Sequence, residues 1–287
     1  MTLEEAKTLA DQGNINAMVA LRDYYSKQDD EDAMDIAYQY YERAAEGGDW
    51  NSTVKMAQTT DHVAAVTFAM IEDGNHFTSM DADIEKAFYW AHKLDILAHS
   101  LNINPDVLEF VEENLLTAVS RLGTLYYFDE KYEDLVRITK DIKHPYAQAL
   151  YGLALFQLSD SDSELAESFR ALRNVENEVC WKKELQGKFS RMLPVEAGLY
   201  LSGMYRVQEK DIDSAYRVLD MIASRTIDDS VRQDVRGKWH RISGRSYLGD
   251  IHTLSDPLDH RRAGIKSAEG RSLRAFSMGN DYFMPFS

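Results

Sequence analysis

Few residues of this 287-residue chain stand at spacings that could do chemistry. His92 and His99 lie seven apart, two turns along one helix face. Two imidazoles that share a zinc ion on a helix stand four apart with a glutamate between them, and neither condition is met. Asp29, Asp30, Glu31, Asp32 and Asp35 form an acid cluster, but a calcium loop of the EF-hand type needs a central glycine and a final glutamate at fixed spacing. Helix N-capping and a solvated loop are the expected roles. No glycine-rich phosphate loop occurs, and no nucleophile sits in a recognisable elbow. Cys180, the single cysteine, lies in NEVCWKKEL beside Trp181. It is expected to be a small buried hydrophobe on a helix face. Alone, it makes neither an intrachain disulfide nor a cysteine metal cage. These residues point to no reaction, no metal and no cofactor, and the expectation is a protein that is not an enzyme.

The elements that would position any site read as helices up to about residue 245. Pro105, Pro145 and Pro194 each stand just ahead of a long apolar-periodic run, where proline suits a helix start. Strict apolar–polar alternation, the mark of strands, is missing, so the fold class is all-α. With 44% hydrophobic residues the chain can bury a substantial core. The longest apolar runs, such as 64–71, fall far short of the roughly 20 residues that cross a bilayer. MTLEEAKTLADQG at the N-terminus lacks the basic start and apolar run of a secretory signal, so a non-secreted, cytoplasmic protein is expected.

Charge narrows the partner. The net charge is -16, yet residues 231–287 hold 10 Lys/Arg against 6 Asp/Glu, a net of +4, which leaves 22 against 42 and a net of -20 for residues 1–230. An acidic body repels phosphate backbones, so neither nucleic acid nor membrane is expected as a partner; a basic or neutral protein or peptide is.

Internal repeats appear when helices are aligned on a small residue near their middle. An alanine, a large apolar residue four later, a small residue five later and an aromatic or apolar residue eight later recur at Ala118/Leu122/Gly123/Tyr126, Ala147/Tyr151/Gly152/Leu155 and Ala197/Leu201/Ser202/Tyr205. Ala17/Leu21/Tyr25 matches with Arg22 in the small position, and Ala64/Phe68/Ala69 is looser. These spacings share one helix side. A second helix follows each, anchored at Ala37, Leu135, Ala166 and Ala215, offsets of 20, 17, 19 and 18. For Ala64 the offset to Ala87 is 23, with the extra length in the loop 74–83, as a solenoid tolerates. In YYERAAEGGDW, Ala37, Tyr40, Tyr41, Ala44 and Ala45 form a packing stripe that Gly47 and Gly48 terminate. Ala215, Val218, Leu219, Ile222 and Ala223 correspond to it in the last pair.

FAMIEDGNHFTSMDADIEKAFYWAHKL, with Gly74, Asp83, Lys86, Ala87 and Trp90, together with RAAEGG, resembles the Sel-one-like repeat family, relatives of tetratricopeptide repeats. The resemblance covers residues 1–100 well and 105–225 more weakly. It implies a right-handed α-α superhelix of antiparallel helix pairs with a concave groove that assembles complexes or captures peptides, and it carries no catalytic motif.

The expected architecture is a solenoid of about five helix pairs over residues 1–245, with a capping helix near 230–242, followed by a basic, aromatic tail at 246–287. Repeat alignment points Asp23, Thr124, Tyr127, Tyr146, Phe156, Glu196 and Arg206 toward the groove. The expected function is a protein- or peptide-binding scaffold. A ligand- or signal-peptide-sensing regulator of the same fold is the alternative, and an all-α hydrolase a more distant one. The tail itself is a candidate intramolecular partner, either capping the solenoid or occupying the groove.

Overall fold

The computed structural model describes residues 1–72, 78–182 and 192–225. The expected capping helix, the tail at 246–287 and residues 74–77 of the expected loop 74–83 lie outside the described residues, and residues 78–83 of that loop are helical instead. Among those described, most residues lie in eleven α-helices and no strand occurs. None of these helices is long and apolar enough to cross a membrane. The chain divides into two compact units, Met1–Ala118 and Val119–Ser287.

The first unit holds α1 (Leu3–Asp11), α2 (Ile15–Tyr25), α3 (Glu31–Glu46), α4 (Trp50–Glu72), α5 (Thr78–Leu101) and the first part of α6 (Pro105–Phe128). Each of α1 to α4 packs on the helix that follows it. Local chemistry sets the starts: Thr2 and Glu5 form a capping box on α1, Asn14 caps α2, and Asp30 caps α3 through the Ala33 amide at 3.1 Å. The acid cluster therefore caps a helix, as expected. At the other end of α3 the chain leaves through Gly47 and Gly48, and Gly48 has φ +92°, which favours glycine. Ala37, Ala44 and Ala45 are buried, while Tyr40 and Tyr41 are half-buried beneath the guanidinium groups of Arg43 and Arg22.

Arg22 explains why the first repeat departs from the small-residue pattern. It is buried, donates to Asp23, to Asp49 at 2.9 Å and to Ser52 at 2.7 Å, and lies 5.0 Å from the Tyr41 ring centroid. Asp49 in turn caps α4 through the Ser52 amide. One guanidinium thus ties α2 to α3 and to the start of α4, a job for a planar, five-donor group.

The second unit holds the rest of α6, α7 (Tyr132–Thr139), α8 (Pro145–Leu158), α9 (Asp162–Leu172), two 3₁₀ turns (Arg173–Glu176 and Glu178–Trp181), α10 (Met192–Met204), a π turn (Tyr205–Glu209) and α11 (Ile212–Arg225). Pro105 and Pro145 open their helices and Pro194 lies in the first turn of α10. The small positions are where helices approach closest. A Cβ on Gly123 would stand 2.8 Å from Leu150 Cδ1, and one on Gly152 would stand 2.7 Å from the Leu172 backbone nitrogen. Ser202 donates to the Ala215 carbonyl at 3.1 Å. Ala69, the small residue of the loosest repeat, is exposed.

Two expectations are corrected. Ala166 is exposed and the neighbouring Leu165 is fully buried, so α9 is anchored by Leu165, 18 residues after Ala147. Cys180 is buried as expected but sits in a 3₁₀ turn instead of on a helix face, with its thiol 3.3 Å from the Asn174 carbonyl. Burial pushes that thiol up to about 12.

Candidate functional site

The site is built at the end of α6. Helix α6 stops at Phe128, and Glu130 takes the left-handed conformation (φ +61°) that lets the Lys131 amide donate to the Tyr126 carbonyl at 2.8 Å. This tight reversal starts α7 at Tyr132 and brings its ring back onto Tyr127, with centroids 5.8 Å apart at 65°. Phe156 and Gln157 arrive from the C-terminal end of α8. Helix α10, packed on α8, adds Glu196 and Tyr200, which its four-residue spacing sets on one face.

These six residues form one polar and aromatic cluster. The Tyr127 hydroxyl donates to Glu196 Oε1 at 2.6 Å, and the Gln157 amide donates to the Tyr200 hydroxyl at 3.3 Å. The Phe156 and Tyr200 rings lie 4.6 Å apart, tilted by 34°. Tyr127, Phe156 and Tyr200 are buried, whereas Tyr132, Gln157 and Glu196 are half-buried and form the rim. Burial raises the Tyr127 phenol well above its ordinary value, and the Glu196 charge raises it further. Burial and then Glu196 act on Tyr200 in the same direction. Both phenols stay protonated at neutral pH, so each remains a donor beside the carboxylate.

Of the seven residues expected to line a groove, the structure brings together Tyr127, Phe156 and Glu196. Four of the seven, Thr124, Tyr127, Tyr146 and Phe156, are buried, which corrects the expectation that they present themselves on an open surface. The reason lies in α8 and α10, which are apolar nearly all round: eleven of the 13 residues of α10 are buried. Thr124 bonds back to the Ser120 carbonyl at 2.6 Å within its own helix, and the Tyr146 hydroxyl meets the Ser120 hydroxyl at 3.1 Å in the core. Arg206 is half-buried in the π turn. Asp23 belongs to the first unit, where it is half-buried against the Arg22 guanidinium at 2.7 Å.

Repeat alignment missed Tyr132, Gln157 and Tyr200. Tyr200 was findable, since it lies four residues after Glu196 on the same helix face; Tyr132 depends on the left-handed turn at Glu130, which no spacing announces.

His92 stacks on Phe88 with centroids 5.6 Å apart, and His99 pairs with Asp95 of its own helix. Among the described residues no group of three or more His, Cys, Asp or Glu could hold a metal ion. His144 caps α8 by accepting from the Tyr146 amide at 3.2 Å, and burial followed by the charge of Lys182 lowers its imidazole to about 4. Comparison with protein-family models, with curated proteins and with solved structures found no match to this chain.

Proposed function

We propose that this chain is a non-enzymatic protein- or peptide-binding module built from helical repeats, and that the half-exposed rim of Tyr132, Gln157 and Glu196 is where its second unit meets a partner. One observation carries the reading. Four helices deliver three tyrosines, a phenylalanine, a glutamine and a glutamate to one place. Tyrosine clusters of this kind supply rigid contact area with a polar edge and are enriched where proteins recognise one another. The helical pairing and the small residues at the helix contacts support the finer reading, a superhelix like that of the Sel-one-like repeats. The acidic composition, 48 Asp and Glu against 32 Lys and Arg, supports a basic or neutral partner.

Selection of a displayed random-peptide library against the intact chain tests this. The reading expects sequences that enrich on the native protein and lose that enrichment on a Tyr132→Ala, Gln157→Ala variant whose thermal midpoint is close to the parent's. Enrichment that is equal on both proteins, or absent from both, would overturn it.

A further inference from the structure

The two units differ in charge and in what they expose. Residues 1–118 hold 23 Asp and Glu against 7 Lys and Arg, a net of -16, whereas residues 119–287 hold 25 of each. Among the described residues, thirteen of the fourteen large apolar or aromatic side chains left exposed also belong to the first unit, Ile212 being the exception. Both features meet at the start of α6. Asn104 fixes that start: its side chain accepts from the Asp106 amide at 2.9 Å, and its carbonyl accepts from the Val107 and Leu108 amides at 3.0 Å. Val111 and Leu115 bury one side of the helix, with Val111 in the core of Trp90 and Leu94. Val107 and Phe110, one turn apart, lie off that side and stay 41% and 47% exposed. Further along the same row the Asn114 amide donates to the Phe110 carbonyl at 2.7 Å and the Thr117 hydroxyl to the Glu113 carbonyl at 3.0 Å, so α6 itself satisfies these polar groups.

Beside this apolar row runs an acidic one. Asp106, Glu109 and Glu112 are exposed, and they make no ion pair among the described residues. By contrast, Glu42, Glu46 and Asp49 of the same unit pair with Lys86, Lys93 and Arg22. From 94 to 120 the sequence holds no Lys or Arg that could do the same for α6. The helix dipole favours an acid in the first turn, which accounts for Asp106 but not for Glu109 and Glu112. Carboxylates three apart on a helix are neighbours and repel one another, so the row weakens the helix that carries it. Asp106, four residues before Phe110, stands next to that ring on the helix surface. An apolar ledge edged by unpaired carboxylates complements a segment that mixes apolar residues with Lys or Arg, and it repels phosphates and acidic peptides. We propose that this face of α6 docks a basic, amphipathic segment of a partner protein, its apolar side chains on Val107 and Phe110 and its cations against Asp106, Glu109 and Glu112. This adds a second contact to the peptide-binding reading and does not depend on the rim around Tyr132.

The test titrates the full chain at physiological salt into a fluorophore-labelled peptide, Leu-Lys-Lys-Leu-Leu-Lys-Lys-Leu amide, and follows anisotropy beside the same peptide with glutamate for lysine. The expected result is saturable binding of the lysine peptide and none of the glutamate peptide over the same range. The triple variant Asp106→Asn, Glu109→Gln, Glu112→Gln is expected to weaken binding by about tenfold, and Phe110→Ser by about fivefold. All four side chains are exposed, so the thermal midpoints should stay near the parent's. Asp29→Asn, Asp32→Asn, Asp35→Asn, at exposed positions around the start of α3, is the charge-matched control and is expected to weaken binding by less than about twofold. Equal losses from the two triple variants would reduce the effect to overall charge and overturn the proposal, as would unchanged binding to Phe110→Ser or no saturable binding at all. Self-association of the chain in sedimentation, abolished by Phe110→Ser, would assign the face to a second copy and also overturn it. Loss of binding on the Tyr132→Ala, Gln157→Ala variant, with none on the α6 variants, would move the peptide to the rim, overturning this proposal while supporting that reading.

Discussion

Replacing Gly152 by alanine is the most informative perturbation of the packing, because two opposing terms have to be weighed. A helix interior gains about 1 kcal/mol when glycine becomes alanine. Against this, the added Cβ would stand 2.7 Å from the Leu172 nitrogen, 2.9 Å from Leu172 Cγ and 3.1 Å from the Ala171 carbonyl carbon. Two of those atoms are backbone of α9, so relief requires the helices to part. Overpacking costs typically ~1–3 kcal/mol, and an obstruction by backbone belongs at the upper end of that range. Parting α8 from α9 also stretches the 2.8 Å bond from the Ser168 hydroxyl to the Gly152 carbonyl, worth about 1 kcal/mol. The net expectation is a loss of about 2 kcal/mol. Gly198→Ala is the control: its Cβ meets Ile222 Cδ1 at 2.8 Å and Cγ1 at 2.9 Å, side-chain atoms that can turn aside. For that variant the propensity gain offsets most of the strain, leaving a change within about 1 kcal/mol. Urea unfolding of both variants beside the parent decides the matter. A Gly152→Ala protein as stable as the parent, or one less affected than Gly198→Ala, would refute the reasoning.

Further outcomes follow from other buried groups. Arg22→Ala leaves Asp49 and Asp23 without their guanidinium and is expected to cost about 3 kcal/mol in urea unfolding, with Arg22→Lys recovering only part, since one ammonium cannot match the fork. The lowered imidazole of His144 makes stability depend on pH: the contribution is complete above its unfolded value near 6.5 and is lost as pH falls toward about 4. Allowing for the water that still reaches the ring, about 1–2 kcal/mol should disappear across that window, and His144→Asn, which retains a capping acceptor, should flatten that part of the stability–pH curve. Cys180 should resist a disulfide-exchange reagent at pH 8 in the native protein and react fully once denatured, since it is buried and its thiol stands near 12.

How far the fold could be read from the sequence varied with the physics involved. The helix starts at the prolines and at Asp30 were legible because these residues act through their own backbone, with no reference to distant chain. The small-residue positions Gly123 and Gly152 were legible because close helix approach leaves room for nothing larger. Burial around α8 and α10 was not. The periodicity marks one apolar side, but these helices are apolar on nearly every side, so the residues beyond the stripe, Tyr146 and Phe156, went into the core. For the same reason Leu165 and Ala166 could not be told apart as the anchor of α9 until burial was known. The cluster around Glu196 was half legible: Tyr127 and Phe156 followed from the alignment, whereas Tyr132 follows only from the turn at Glu130.

Site-directed photo-crosslinking in the native cell tests the binding account most directly. A photoreactive residue is placed at Tyr132, on the rim, and in a second protein at Arg170, exposed on α9 and not one of the six cluster residues. The account predicts a discrete protein adduct from position 132 that is absent from position 170 and fades when Glu196→Gln is added. Adducts of the same pattern from both positions, or none from position 132 while the chain remains folded, would contradict it.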